Sequence, residues 1–520
     1  MAVAKALSVS LVGLAGTIIE IEAEISSNLP AFILIGLPDA ALAEAKDRVR
    51  AALQNSGLAM PSRRVTVNLS PASVPKRGSG FDVAIAIAIL SASGRVEVPS
   101  AASWVHLGEL GLDGSIRPIS GILPSVLAAR QQGFDKVIVP EQNLEEASLV
   151  DGVTVIGASS IAEVAAFHGA KVTARSLQPT HGRTPQLESS HEATIDMADI
   201  IGQDEAVHAL AVAATGGHHL LLVGPPGVGK TMLAERLPTI LPELTAEESL
   251  ETSAIRSLVT MANLGAVAKL LAVRPFEAPH HSASLSSLIG GGQAFPRPGL
   301  ISLANHGVLF LDEAPEFQRP ILEALRQPLE SGEVFINRTA GLARFPARFQ
   351  LVMAANPCPC GNYFGSARGC TCSVSTRMAY FSKLSGPLLD RVDIRMRLQP
   401  GKATDVSLAN YGAKQIGRSS HEIRAKVTAG RERSRRRLAG TQWSNNAQVP
   451  GSFLREHLRP NRSVTKPLDL ALERGLLSMR GYDRCLRLAW SSADLAGRES
   501  VLPEDIALAI NLRGSDGAML

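Results

Sequence analysis

Residues 224–231 read Gly224, Pro225, Pro226, Gly227, Val228, Gly229, Lys230, Thr231. This is G-x-x-x-x-G-K-[ST], with the apolar run LLLV before it and a helix-forming run, MLAERL, after it. Backbone N–H groups in such a loop cradle phosphates at a helix N-terminus, where the dipole favours negative charge. Lys230 is then expected to reach the β- and γ-phosphates of a nucleotide, and Thr231 to ligate Mg²⁺. A nucleotide site also needs a carboxylate for the metal and a group that orients water. The stretch VLFLDEAPEF supplies both after a strand-like apolar run. Asp312 would hold Mg²⁺ through water, and Glu313 would serve as general base toward the attacking water.

The next apolar run, FQLVMAAN, ends in Asn356, which could contact the γ-phosphate or the water. Asn at a strand end is also a common turn former. Two arginines stand outside these runs. Arg391, in SGPLLDRVDI, could complete a neighbouring subunit's site, or it could pair with Asp390 or Asp393. Arg480, at the start of a late helix, could reach the same γ-phosphate, with Arg484 and Arg487 as competitors.

Four of the five cysteines follow Asn356 almost at once. Cys358 and Cys360 form one Cys-x-Cys pair, Cys370 and Cys372 another, nine residues apart. Four thiolates can close a tetrahedral Zn²⁺ site that pins a loop poor in apolar residues. The spacing within each pair is tighter than the usual two to four residues, and free thiols or a redox pair are the competing readings. Cys485 lies in an apolar helical run and reads as a small buried hydrophobe. Adjacent His280 and His281 suggest metal at first sight, but no carboxylate follows at helical spacing. The glycines at 290–292 and the PRPG after them read as a loop that projects from the core.

These residues have to be held by a scaffold of several domains. At 520 residues the chain is long for one core, and domain-size priors suggest about three. Apolar residues make up 45% and charged residues 19%, an ordinary globular composition. The net charge of +4 is compatible with nucleic acid without being diagnostic of it. Five unevenly placed cysteines do not form a secreted disulfide framework. No run of 18 apolar residues is present, so no membrane span is expected, and the chain is expected in the cytoplasm. The first residues have some features of a signal peptide, but Ile19, Ile21, Ala23 and Ile25 alternate with Glu20, Glu22 and Glu24. That period predicts a first hairpin of a folded domain.

Residues 1–172 mix strand and helix periods and predict an α+β domain, including a hairpin that turns at Asp113-Gly114. Residues 173–198 read as a linker. Residues 199–398 alternate strands and helices, the pattern of a parallel α/β sheet, with a Cys-rich insertion at 357–373. Residues 399–520 read as helical, beginning with SLANYGAKQIGRSSHEIRAKV. The arginine-rich RERSRRRL, with Arg424 and Lys426 before it, is either a nucleic-acid patch or a helix face balanced by Glu422 and Glu432.

GPPGVGKT, GVLFLDEAPEF, AANPCPCG and PLLDRVDI, with RPFEAPHHSASLSSLIGGG and PRPGLISLANHGVLFLDE, resemble magnesium-chelatase-like AAA+ ATPases. Within that group the chain resembles the ComM/YifB competence-protein family over most of its length. The resemblance implies an α/β P-loop core with a helical lid, ATP and Mg²⁺ as ligands, and a ring, expected to be a homohexamer. It implies that Asn356 is sensor 1, Arg391 the trans arginine finger and Arg480 sensor 2, beside Lys230, Thr231, Asp312 and Glu313. It also implies ATP-driven work on DNA, as a helicase or branch-migration motor in transformation or recombination. The alternatives are a chelatase subunit, a protein-remodelling machine and an ATP-dependent protease. A non-enzymatic scaffold is disfavoured, since the hydrolytic residues are all present.

The N-terminal region resembles the Lon-type, ribosomal-S5-like fold, whose proteases use a Ser-Lys dyad. Here Gly80 stands at the serine position, with Ser79 one residue early, and Leu123 stands at the lysine position. An inactive relative is therefore expected, with Ser79 and Lys76 as the only unconventional dyad to consider.

Overall fold

The computed structural model describes residues 3–36, 44–76, 78–178, 180–181, 195–259, 270–292, 295–338, 341–364, 367, 369–400 and 419–514. Most of the expected linker and residues 401–418, where the first lid helix was expected to begin, lie outside the described residues.

The expected first hairpin is present. Strands Val3–Val12 and Ala15–Ser26 pair antiparallel, with Ile19, Ile21 and Ala23 fully buried. They sit inside an eight-stranded mixed sheet. From one edge its strands are Thr180–His181, Thr154–Ala158, Lys136–Pro140, Val105–His106, the two hairpin strands, Arg64–Ser70 and Ala31–Ile35. The helix Asp82–Ala92, apolar at nearly every position, is buried all round against this sheet. The small hairpin Glu109–Leu110 and Ile116–Arg117 turns around Asp113-Gly114, as its sequence predicts.

The second sheet has five strands, all parallel. Their order is Phe276–Glu277, Val308–Leu311, Gln350–Ala355, Leu220–Val223, Ile394–Arg397. The three central strands are buried on both faces, which explains their continuous apolar runs. Because the strands are parallel, the residues after Val223, Leu311 and Ala355 all emerge at one edge of the sheet. Residues that lead into the strands lie at the opposite edge. A hairpin not anticipated from sequence, Glu333–Arg338 with Gly341–Pro346, and a short helix, Leu285–Ile289, extend from this core.

After the sheet the described chain is helical: Ser420–Arg437, Gly451–His457, Arg462–Glu473, Met479–Leu495 and Pro503–Arg513. Helices Ser420–Arg437 and Met479–Leu495 pack on Asp204–Gly216, so their core is continuous with that of the parallel sheet. The first sheet's region and the parallel-sheet region also touch. Gly121 N–H donates to the Ser257 carbonyl at 2.9 Å, and Ser257 Oγ donates to buried Glu146 at 2.5 Å. Burial raises the Glu146 carboxyl above its usual range, against the hydrogen bonds from Ser257, Leu123 and Asn143. Among the described residues no helix is long and apolar enough to cross a membrane.

Candidate nucleotide site

The loop from Gly224 to Gly229 leaves the buried strand Leu220–Val223 and enters the helix Lys230–Ile240. Gly227 and Gly229 have φ of 77° and 91°, in the left-handed region that favours glycine. A Cβ added at either would meet nothing within 4 Å, so the backbone there is open to close approach by a ligand. Lys230 Nζ points back over the loop and donates to the Gly224 carbonyl at 2.7 Å, the Pro225 carbonyl at 3.0 Å and Asn356 Oδ1 at 3.0 Å. Burial lowers its pKa, opposed by the nearby charges of Asp312 and Glu313. An ammonium folded back over a glycine-rich loop at a helix N-terminus suits the phosphates of a nucleotide.

The carboxylates stand at the same edge. Thr231 Oγ1 donates to Asp312 Oδ2 at 3.0 Å, and the Glu313 N–H donates to Asp312 Oδ1 at 2.9 Å. A hydroxyl and a carboxylate in hydrogen-bond contact beside a phosphate cradle are the hard oxygen donors that Mg²⁺ prefers. Glu313 adopts a left-handed backbone, φ 48°, uncommon for a residue with a side chain and associated with about 1–3 kcal/mol of strain. Its Oε2 lies 3.5 Å from His281 Nδ1. Sequence reading weighed His281 only as a metal ligand and missed this neighbour, because the two residues come from different strands' ends. His280 instead meets Ser282 Oγ at 2.7 Å.

Arg391 and Arg480 are elsewhere. The strand Ile394–Arg397 runs parallel to Leu220–Val223, with Ile394 opposite Leu220 and Arg397 opposite Val223. Arg391 precedes Ile394, so roughly 10 Å of strand separates it from the edge that carries its own phosphate loop. It ion-pairs with Glu330 and donates to the Pro387 carbonyl at 2.6 Å. Neither Asp390 nor Asp393 is its partner: Asp390 takes Arg480 at 3.1 Å, and Asp393 takes Arg484 and His218. Burial, then the charges of Arg326, Arg484 and Arg480, lowers the Arg391 pKa. Arg391 and Arg326 line a cavity of ≈ 730 Å³ on this face. Arg484 and Arg487 are half-buried or held by internal partners, Asp393 and the Val449 carbonyl respectively. Arg480, with a side chain 79% exposed, is the freest of the three.

The Cys-rich loop leaves the same strand end as Asn356. Cys358 Sγ lies 3.3 Å from Cys360 Sγ and 3.7 Å from Cys370 Sγ, and Cys360 to Cys370 is 3.8 Å. All four sulfurs, Cys372 included, lie within 4.8 Å of one another. Burial pushes the Cys358 thiol up to about 12, while the Asn362 backbone N–H draws Cys360 down to about 6. No other cluster of metal-ligating side chains is found among the described residues. Cys485 is fully buried in its helix, as expected.

The arginine-rich run is a structural clamp, which corrects the nucleic-acid option for it. Arg424, Arg431 and Arg433 donate to the carbonyls of Thr239, Ala214 and Asp494, each in the last turn of a helix. Cations on C-terminal carbonyls satisfy orphan acceptors and complement the dipole. Arg437 is bidentate on buried Asp494 and stacks over Trp490. Only Arg435 and Arg436, at 70% and 76% side-chain exposure, face outward, beside Glu432.

At the N-terminal positions where a Ser-Lys dyad was considered, Ser79 donates to Glu109 and Lys76 to the Pro71 carbonyl. Gly80 contributes no side chain, and Leu123 is buried.

Three family models match the chain in succession: "Subunit ChlI of Mg-chelatase" over residues 21–143, "Magnesium chelatase, subunit ChlI" over 196–406 and "Magnesium chelatase, subunit ChlI C-terminal" over 417–513. An uncharacterized protein of Mycobacterium tuberculosis, Rv2897c, is 47% identical over 513 residues, 99% of either chain. Competence protein ComM of Haemophilus influenzae is 40% identical over 514 residues, covering 99% of this chain and 98% of that protein. The YifB protein of Escherichia coli is 39% identical over 505 residues, covering 96% and 95%. Full-length similarity of this kind, on a parallel sheet whose edge gathers Lys230, Thr231, Asp312 and Asn356, identifies the chain as a member of the ComM/YifB family of magnesium-chelatase-like AAA+ ATPases.

Proposed function

We propose that the chain is an ATP-driven motor that assembles as a homohexameric ring and acts on DNA, promoting strand separation or branch migration during recombination or natural transformation. The observation that carries this reading is the split of the hydrolytic residues between two edges of one sheet. Lys230, Thr231, Asp312, Glu313 and Asn356 stand at the edge with the phosphate loop, and Arg391 and Arg480 at the other. One chain then has an incomplete site, and a neighbour's arginine face completes it. The near full-length similarity to a competence protein supports DNA as the polymer.

In this mechanism the loop N–H groups and Lys230 bind the phosphates and neutralise their charge. Mg²⁺ held near Thr231 and Asp312 would supply further charge stabilisation on the transferring group. Glu313 accepts the proton of the attacking water, and Asn356 orients that water or the γ-phosphate. Arg391 of the neighbour stabilises the charge that develops on the phosphoryl oxygens, with Arg480 as a second cation on the same face. Residues 1–172 serve as a non-proteolytic, Lon-like assembly or gripping domain. Gly80 and Leu123 offer neither nucleophile nor base, and Ser79 and Lys76 have separate partners. Residues 199–398 form the motor core and 399–520 its lid.

The test is ATP hydrolysis by the purified protein with and without single-stranded, duplex and four-way-junction DNA, beside Glu313→Gln. The expected result is a Glu313-dependent rate raised by DNA and ATP-dependent resolution of labelled junctions. Hydrolysis indifferent to every DNA would keep the ATPase and remove DNA as its substrate.

A further inference from the structure

We propose that Cys358, Cys360, Cys370 and Cys372 hold one Zn²⁺ as a tetrathiolate, and that the resulting knuckle is a positioning device for the nucleotide site, bracing the phosphate loop and fixing Asn356. The geometry of the sulfurs comes first. A tetrahedral ion with Zn–S of about 2.3 Å has sulfur–sulfur edges of about 3.8 Å. The three separations at Cys358, Cys360 and Cys370 are 3.3, 3.7 and 3.8 Å. A disulfide would need about 2.05 Å, and a set of four mutually close sulfurs cannot be explained by one such bond.

The loop itself has little else to hold it. Between Asn356 and the helix Val374–Ser382 the described chain forms neither helix nor strand, and Tyr363 and Phe364 are exposed. Its internal bonds are short turns, such as Gly361 N–H to the Cys358 carbonyl at 2.9 Å and Cys370 N–H to the Ala367 carbonyl at 3.0 Å. Such a segment gains order from a metal because the binding free energy becomes folding free energy. As the ion enters, the thiol protons that remain leave to solvent and four S–Zn bonds form, with no redox change.

Two contacts connect this knuckle to the nucleotide site. Gly361, one residue past the first Cys pair, lies against Pro226 of the phosphate loop: a Cβ on Gly361 would come within 2.8 Å of Pro226 Cγ. Asn356, the partner of Lys230, is two residues before Cys358, and the loop that follows ends in the helix Val374–Ser382, whose Tyr380 is buried. Arg377 of that helix bonds the Cys372 carbonyl at 3.1 Å and stacks on Tyr363 at 3.8 Å, closing the bracket from the far side. Loss of the ion would free both Asn356 and the wall behind Pro226. The cysteines act through these neighbours and are positioning residues.

The proposal concerns metal and nucleotide binding only, and its fate is separable from that of the DNA reading. The experiment measures zinc per chain, the number of thiols open to a thiol reagent, and the affinity for a fluorescent ADP analogue, on protein as purified, after chelation and after Zn²⁺ is returned. The expected result is one zinc per chain, a single reactive-thiol class only after chelation, and nucleotide affinity weakened about tenfold, roughly 1.4 kcal/mol, and restored by Zn²⁺. Gly361→Ala provides a second arm that keeps the thiols. It is expected to retain one zinc per chain and still weaken nucleotide binding. Zinc-free protein with four open thiols as purified would overturn the metal site. Zinc present, with nucleotide affinity unchanged both by its removal and in Gly361→Ala, would overturn the bracing role.

Discussion

Lys230 Nζ and Asn356 Oδ1 are 3.0 Å apart, although 126 residues separate them in the chain. The contact exists because the strands that precede them, Leu220–Val223 and Gln350–Ala355, are parallel neighbours in register, Val223 opposite Ala355. Both residues are the next polar groups past the sheet edge. In the proposed mechanism Lys230 supplies charge and Asn356 orientation, so their removal should have different kinetic signatures. Lys230→Ala is expected to abolish nucleotide binding. Asn356→Ala is expected to leave binding within a few-fold and to lower kcat by roughly 10²–10³, the cost of one missing preorganised hydrogen-bonding group. Steady-state hydrolysis and nucleotide titration on the two variants check this, and equal loss of affinity in both would contradict it.

Arg437 shows what the arginine-rich helix contributes. Its guanidinium is bidentate on Asp494, which is fully buried and also accepts from Asn446 Nδ2 at 2.9 Å. Removing one member of such a pair strands the other charge, a cost of about 3–5 kcal/mol. Arg437→Ala should therefore lower the melting temperature by many degrees or prevent folding. Arg436→Ala, whose side chain is 76% exposed, should leave it unchanged. Thermal unfolding of the two variants decides the matter; a mild Arg437→Ala would mean that the helix is held mainly by its apolar face.

The two arginine sites show which physical information a linear sequence holds. The phosphate loop is legible because eight consecutive residues build it, with the strand and helix that frame it on either side. Asp312 and Glu313 are legible for the same reason, as the residues that end a buried strand. The run RERSRRRL states its charge but not its partners, which lie far along the chain: the Ala214 carbonyl, 217 positions from Arg431, the Asp494 carbonyl, 61 from Arg433, and the Asp494 carboxylate, 57 from Arg437. Local charge therefore reads as a patch where the fold makes a clamp. His281 beside Glu313 and Gly361 against Pro226 are equally silent, because each pair is created by the order of strands in the sheet. The hairpin Glu333–Arg338 with Gly341–Pro346 does carry a period-two pattern, with Val334, Ile336, Ala343 and Phe345 buried and Phe335 and Leu342 exposed. The exposed Phe335 and Leu342 on its outer face blur that alternation.

Buried histidines set an acid limit on the fold. Burial holds His219 down to about 4, and its Nδ1 accepts the Leu351 N–H at 3.0 Å, as a neutral ring must. Burial likewise holds His168 down to about 4, in a chain of contacts from Ser100 Oγ through His168 to His106 Nε2. In the unfolded chain a histidine titrates near 6.5. The unfolded state thus binds these protons first, and stability falls as pH drops from about 6.5 to 4. Buried His168 can contribute up to about 3 kcal/mol over that window, and half-buried His219 less. Chemical denaturation at pH 7, 6, 5 and 4 should show a steady loss with most of its slope below pH 6. His219→Gln should flatten the slope while lowering stability at pH 7. A stability profile level down to pH 4 would contradict neutral burial of these rings.

Arg391 stands before the strand whose far end meets the edge with the phosphate loop of its own chain, and its side chain is held there by Glu330 and the Pro387 carbonyl. If it acts in hydrolysis, it acts on the nucleotide of a neighbour. Arg391→Ala should then bind nucleotide like the parent chain and hydrolyse it at least about 10³-fold more slowly, the usual worth of such an arginine. Lys230→Ala should fail for the opposite reason, with an intact Arg391 and no bound nucleotide. Mixed in equal amounts, the two inactive variants form interfaces that pair an intact loop with an intact arginine, and activity should return in the mixture. Arg391→Ala mixed with Glu313→Gln should recover too, whereas Lys230→Ala with Glu313→Gln should not, since both damage the same edge. No recovery in any mixture, with rings formed, would place the role of Arg391 within its own chain, where its pair with Glu330 would be the structure to examine.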